Sequence, residues 1–250
     1  MELSYEILVF LLFAAMLAGC IDAIAGGGGL IALPAMLMCG VPPVAAIATN
    51  KLGGVGGTLS ASLHFIKTGD VQIKNMLGMM SMTFLGALIG GIALTQIDSS
   101  FLAVIIPFLL IGFSIYFIFS PNLGELDREK RISPLAYTFV IATVVGFYDG
   151  FFGPGTGSFF AISLVLLLGF NLVKATAHTK VLNFCSNFAA LLYFIYDGHI
   201  LWDIGAVMFI GQVIGAKVGA KLVLAKGRML IKLAMVTVTI GISTKMLFLQ

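Results

Sequence analysis

Charge is what this chain has least of. Its 250 residues include 14 lysines and arginines and 11 aspartates and glutamates, 10% of the total, against 60% hydrophobic residues. A soluble domain carries roughly a quarter of its residues charged, so a water-facing fold is excluded and a polytopic membrane protein is implied. Cysteine is scarce as well. Cys20, Cys39 and Cys185 are odd in number, have no paired spacing and fall inside apolar runs. That excludes a disulfide framework and makes them small packing residues. No His/Cys/Asp/Glu spacing suits a metal ion. The glycine run Gly26 to Gly29 follows no strand and precedes no Gly-Lys-Ser/Thr, so it is neither a P-loop nor a dinucleotide fingerprint. No cofactor is implied. The net charge of +3 comes mostly from loop lysines and arginines, which gives no case for nucleic acid as a partner. A basic flank is also missing before the first apolar run: Glu2 and Glu6 stand there, so Ile7 to Ala25 is expected to be a retained membrane segment.

What the chain has in abundance is apolar runs of spanning length, about 20 residues each. They are Ile7 to Ala25, Pro43 to Ile66, Asn75 to Thr95, Ser99 to Phe119, Pro134 to Tyr148, Ala175 to Tyr196, Ile204 to Ala225 and Met229 to Leu249. Two further pieces, Leu30 to Cys39 and Thr156 to Leu168, have only 10 and 13 residues. At about 1.5 Å per residue they reach half to two-thirds of a ~30 Å hydrocarbon core, so they read as half-helices or re-entrant segments. The predicted fold is all-α, with eight long helices and two short ones.

Two copies of one pattern fill the chain. A shift of 127 carries Gly19, Asp22, Gly26 and Gly28 onto Gly146, Asp149, Gly153 and Gly155. After a two-residue insertion, a shift of 129 carries Gly40, Val44, Ala46, Ala48 and Lys51 onto Gly169, Val173, Ala175, Ala177 and Lys180. The same register takes Phe65, Gly69, Gly86 and Gly90 onto Phe194, Gly198, Gly215 and Gly219. The chain therefore divides into repeat one (1–120), a polar linker (121–133) and repeat two (134–250). Loop charge orients them. Lys67 and Lys74 follow the third segment of repeat one, while the matching loop with Asp197, His199 and Asp203 has no lysine or arginine. The next loop reverses this: Gln96 to Ser100 has none, and its counterpart has Lys226, Arg228 and Lys232. Basic loops stay cytoplasmic, so the repeats are expected to be inverted, with both termini outside and the linker inside.

Glycine clusters and charges are costly inside apolar sequence, and they mark the expected site. Gly26, Gly27, Gly28 and Gly29 open one short helix; Gly153, Pro154, Gly155, Thr156 and Gly157 open the other. Helix N-termini meeting near the midplane make an anion receptor of backbone N–H groups. Lys51 and Lys180 either give charge to an anionic substrate or pair with Asp22 and Asp149. Thr49, Asn50, His178, Thr179 and Asn183 are candidate hydrogen-bond donors to it. Asp22 and Asp149 either couple transport to protons or cap the broken helices. Gly86, Gly90, Gly215 and Gly219 read as close-packing positions, and Lys217 and Lys221 as snorkelling residues. His64 lies four after Ser60 and His178 eight before Ser186, but no nucleophile elbow or matched orienting acid accompanies them. No catalytic residue is assigned.

The doubled motif resembles that of the TauE/SafE family of sulfite and organosulfonate exporter-like transporters. It runs Gly19-Cys20-Ile21-Asp22-Ala23-Ile24-Ala25-Gly26-Gly27-Gly28-Gly29 with Pro34 and Ala48-Thr49-Asn50-Lys51. The second copy runs Gly146-Phe147-Tyr148-Asp149-Gly150-Phe151-Phe152-Gly153-Pro154-Gly155-Thr156-Gly157 with Ala175-Thr176-Ala177-His178. The resemblance spans essentially the whole chain and implies a secondary carrier of small sulfur-containing anions in a bacterial inner membrane. A passive anion channel and an intramembrane hydrolase are the alternatives, and a homo-oligomer is left open. In the second copy Pro154 replaces Gly27 and His178-Thr179 replaces Thr49-Asn50, so the half-sites are not expected to make equal contacts.

Overall fold

Side chains in this protein are distributed the wrong way round for water. Lys51, Lys180 and Asp149 are 1%, 1% and 2% exposed, whereas Phe13, Ile89, Val104, Phe139 and Ile210 are open on the outer surface. That arrangement suits a hydrocarbon surround and no other. The computed structural model describes residues 4–119 and 129–222. Residues 121–128 of the expected linker and the last apolar run, with Lys226, Arg228 and Lys232, lie outside the described residues.

Every described element is helical. α1 (Tyr5–Ala25) starts at Ser4, whose hydroxyl accepts from the Ile7 N–H, and stops at Gly26. α2 (Gly29–Met38) is the first short helix, and α3 (Pro43–Lys67) begins on a proline that has no N–H to waste in the first turn. A 3₁₀ turn at Ile73–Met76 leads into α4 (Leu77–Thr95), followed by α5 (Ser99–Phe119). α6 (Pro134–Phe151) contains a π-helical stretch, Tyr137–Ala142, and the Thr83 hydroxyl of α4 donates to the Ala142 carbonyl there. α7 (Thr156–Leu168) is the second short helix; α8 (Leu172–Asp197) and α9 (Trp202–Leu222) complete the described set.

These boundaries follow the apolar runs, with two differences. α8 begins at Leu172, ahead of its run, because the Asn171 side chain accepts from the Lys174 N–H at 3.0 Å and caps it. Val173 is thus inside the helix and not before it. α6 runs past Tyr148 to Phe151, its carbonyls still paired. Among the described residues four helical stretches are both long and apolar enough to cross a membrane: Tyr5–Ala25, Ile73–Thr95, Pro134–Phe151 and Trp202–Lys221. α3 and α8, at 25 and 26 residues, have the length but carry polar side chains through their middles.

Packing is by exchange between the two halves of the chain. α1 lies along α9 and α4 along α6, while α3 and α8 cross each other, α3 also meeting α9 and α8 also meeting α4. Glycine makes these approaches close. A Cβ on Gly215 would strike the Met16 carbonyl of α1, and one on Gly86 the Thr143 carbonyl of α6. Gly90 and Gly219 are pressed against Phe147 and Cys20 in the same way, as close-packing positions should be. Lys217 and Lys221 are exposed on α9.

Candidate functional site

The two helix breaks meet. α1 ends with Gly26 at φ 76, its N–H donating to the Asp22 carbonyl at 2.8 Å; α7 is entered through Gly153 at φ 99 and Gly155 at φ 85. All three conformations are left-handed, which only glycine adopts cheaply. A Cβ on Gly26 would come within 2.6 Å of the Ser158 nitrogen, and the Ser158 hydroxyl donates to the Ala25 carbonyl. Gly29 faces Pro154 less tightly, with 3.1 Å from its would-be Cβ to the proline Cα. Backbone touches backbone here, so the glycines on both sides are sterically required.

Beside this junction the lysines and aspartates pair across the halves. Lys51 Nζ of α3 donates to Asp149 Oδ1 of α6 at 2.9 Å and to the Asp149 carbonyl. Lys180 Nζ of α8 lies 3.4 Å from Asp22 Oδ2 of α1 and donates to the Asp22 carbonyl. Each lysine therefore joins a long helix to the end of a broken one in the other half. The carboxylates are held differently. Asp149 also accepts from Thr156 Oγ1 at 3.0 Å and from the Ser186 hydroxyl. Among the described residues the Asp22 carboxylate accepts in addition only from the Gly28 N–H, at 3.4 Å.

A polar cavity opens against the aspartate of each pair, with the two lysines behind the carboxylates and off its lining. Its lining brings together Asp22, Gly26, Gly28, Gly29, Asn50, Asp149, Gly153 and Asn183, all singled out from sequence. Gly54, Thr58, Asn187 and Gln212 complete it and were not foreseen. Gly54 and Thr58 sit one and two turns beyond Asn50 on the same face of α3, and Asn187 one turn beyond Asn183 on α8, a spacing that could have given them away. Gln212 is a buried polar residue of α9, 5% exposed, packed over Gly53 and Gly57. Asn50 Oδ1 is buried and has no hydrogen-bond partner among the described residues, as is Thr179 Oγ1. The two positions are equivalent in the repeat register.

Other expected residues are placed elsewhere. Thr49 Oγ1 accepts from the Leu201 N–H at 3.0 Å and fixes the start of α9. His178 Nδ1 bonds the Lys174 carbonyl at 2.8 Å, and its ring packs edge-on against Phe170. Thr156 serves Asp149, Gly155 provides the left-handed cap of α7, and Gly27 is absent from the cavity wall. Ser186 engages Asp149 and the Leu182 and Asn183 carbonyls, so the serine and histidine of the hydrolase reading are not joined. No cluster of three or more His, Cys, Asp or Glu that could hold a metal occurs among the described residues.

A lipid-facing helical shell around a buried, charged and glycine-broken centre defines a multi-pass membrane protein. The chain belongs to the family described as Sulfite exporter TauE/SafE, whose profile matches residues 11–246. A probable membrane transporter protein, ORF9, of a Sinorhizobium species is 45% identical over 98% of this chain and 94% of its own length. A probable membrane transporter protein of Haemophilus influenzae is 44% identical over 100% and 98%. YfcA of Escherichia coli K12, also named a probable membrane transporter protein, is 46% identical over 95% and 88%. No solved structure matches the chain.

Proposed function

We propose that the chain is a secondary transporter that carries small anions of the sulfite and sulfonate class out of the cell across a bacterial inner membrane. The observation that carries the reading is the crossed pairing at the cavity: Lys51 with Asp149 and Lys180 with Asp22, beside two helix breaks in van der Waals contact. Paired halves that share one central polar cavity are the architecture of alternating access. The shift of 127 and 129 residues turns α1 against α9 into α6 against α4, and this relation supports an inverted repeat with halves at 1–120 and 134–250 joined by a cytoplasmic linker. The N-terminus is then outside, as is the C-terminus. The substrate class comes from the family and from the cavity chemistry, in which amide groups and helix N-termini offer N–H donors to an oxyanion. Asp22 and Asp149 are the candidates for a proton carried along.

Purified protein in liposomes tests this directly. Sulfite, sulfoacetate, taurine, sulfate and small carboxylates are supplied in turn with and without a proton gradient. Saturable uptake of a sulfur oxyanion, accumulated above its equilibrium level when the gradient is imposed, is the expected result. Flux that never exceeds equilibrium would mean a channel. A reporter active only in the cytoplasm, fused to the C-terminus, should be silent.

A further inference from the structure

The geometry points to a division of labour between the two ion pairs: Lys180 is the cation that receives the transported anion, in exchange for Asp22, while Lys51 stays locked to Asp149 and holds the fold. This rests on the anion-transport reading above.

The difference lies in what each carboxylate would leave behind. Asp149 is 2% exposed and takes donors from Lys51 Nζ, Thr156 Oγ1 and Ser186 Oγ. Removing it would strand three buried donors at once, each at a cost. Asp22 is 14% exposed, and its two carboxylate contacts, Lys180 Nζ and the Gly28 N–H, are both at 3.4 Å, the outer edge of a hydrogen bond. The cause is written in the repeat register. Thr156 corresponds to Gly29 and Ser186 to Gly57, so repeat one has no hydroxyl to offer at either position.

An oxyanion is a chemical substitute for the Asp22 carboxylate. Its oxygens can accept from Lys180 Nζ and the Gly28 N–H, the same two donors that Asp22 holds weakly. The side-chain N–H groups of Asn50, Asn183 and Gln212, on the same cavity wall, can donate to its remaining oxygens. Charge balance follows if Asp22 takes a proton from water as it gives up the lysine, so that anion and proton enter together. The titratable groups on the cavity wall are Asp22 from α1 and Asp149 from α6. Lys180 from α8 and Lys51 from α3 face them as partners, and α2 and α9 bring only Gly29 and Gln212.

The test is calorimetric binding of sulfoacetate, whose charge is constant from mildly acidic to neutral pH, to the purified full-length protein in detergent. Wild type should bind more tightly as pH falls. Asp22→Asn, which removes the competing charge, should bind about tenfold more tightly at neutral pH and lose the pH dependence. Lys180→Met should lose binding in the fraction that folds, and Lys180→Arg should keep it. Lys51→Met should lower the melting temperature while the folded fraction still binds, and Asp149→Asn should lower the melting temperature too. Weaker binding or an unchanged pH profile in Asp22→Asn overturns the exchange, as does loss of binding in Lys51→Met with Lys180→Met unaffected. If wild type binds neither sulfoacetate, sulfite nor a small carboxylate, the anion reading itself has failed.

Discussion

Lys51 and Asp149 stand 98 positions apart in the chain and meet at 2.9 Å, 1% and 2% exposed, where the third helix passes the end of the sixth. A charge buried this deeply is tolerated only with its partner. Losing one member should cost about 3–5 kcal/mol, and replacing both with apolar residues of similar volume should cost far less. Lys51→Met and Asp149→Leu should each lower the melting temperature in detergent by roughly 10 °C, and the double variant should recover most of the loss. If the double variant melts where the sum of the singles predicts, the two side chains are not coupled.

Gly86 and Gly215 should not tolerate even alanine. Each lies where a Cβ would enter a neighbouring helix's backbone, which cannot give way as a side chain can. Overpacking of this kind costs about 1–3 kcal/mol. Gly112 on α5 has nothing within 4 Å of its would-be Cβ among the described residues, so Gly112→Ala should be neutral or stabilising by up to about 1 kcal/mol. Thermal unfolding of the three alanine variants separates the cases.

Thr49 is expected to be structural although it adjoins Asn50. Thr49→Val leaves the Leu201 N–H without its acceptor and should cost about 1–2 kcal/mol, with Thr49→Ser close to wild type. Anion affinity of the folded protein should be unchanged in both, measured alongside the melting temperature.

At the polar end of α5, the Ser100 hydroxyl and then its N–H, at 2.6 and 2.7 Å, hold the Asp98 carboxyl below its usual range. A carboxyl lowered in the folded state contributes stability above its unfolded value, and that contribution is lost as pH falls through the folded one. Ser100→Ala should therefore narrow the stability gap between wild type and Asp98→Asn at neutral pH and leave strongly acidic pH unaffected. A pH series of melting temperatures reads this out.

Much of the site was legible because hydrocarbon makes its parts expensive: two aspartates, two lysines and two glycine clusters stand out against apolar sequence. The helix ends were legible for the same reason, since Gly26, Gly153 and Gly155 break periodicity. Which lysine meets which aspartate was not, because that depends on how distant helices cross. Thr49 and Asn50 looked alike as neighbours, yet one residue is about 100° of rotation on a helix, and they face different things. Gln212 was hidden because the other residues that stood out in its helix, Gly215, Lys217, Gly219 and Lys221, read as packing and snorkelling positions. The unequal grip on Asp22 and Asp149 was present in the alignment of Gly29 with Thr156, but it had meaning only once those positions were seen beside the carboxylates.

The partner of α1 is α9, so α1 is synthesised long before the helix it binds. Until then its small-residue face, with Gly19 and Ala15, waits in the bilayer with no neighbour to fill it. The first half cannot be finished on its own; it is held open until the second arrives. Truncated products should be prone to pair with whatever helix is at hand, and the ribosome's pace through repeat two should set how long that exposure lasts.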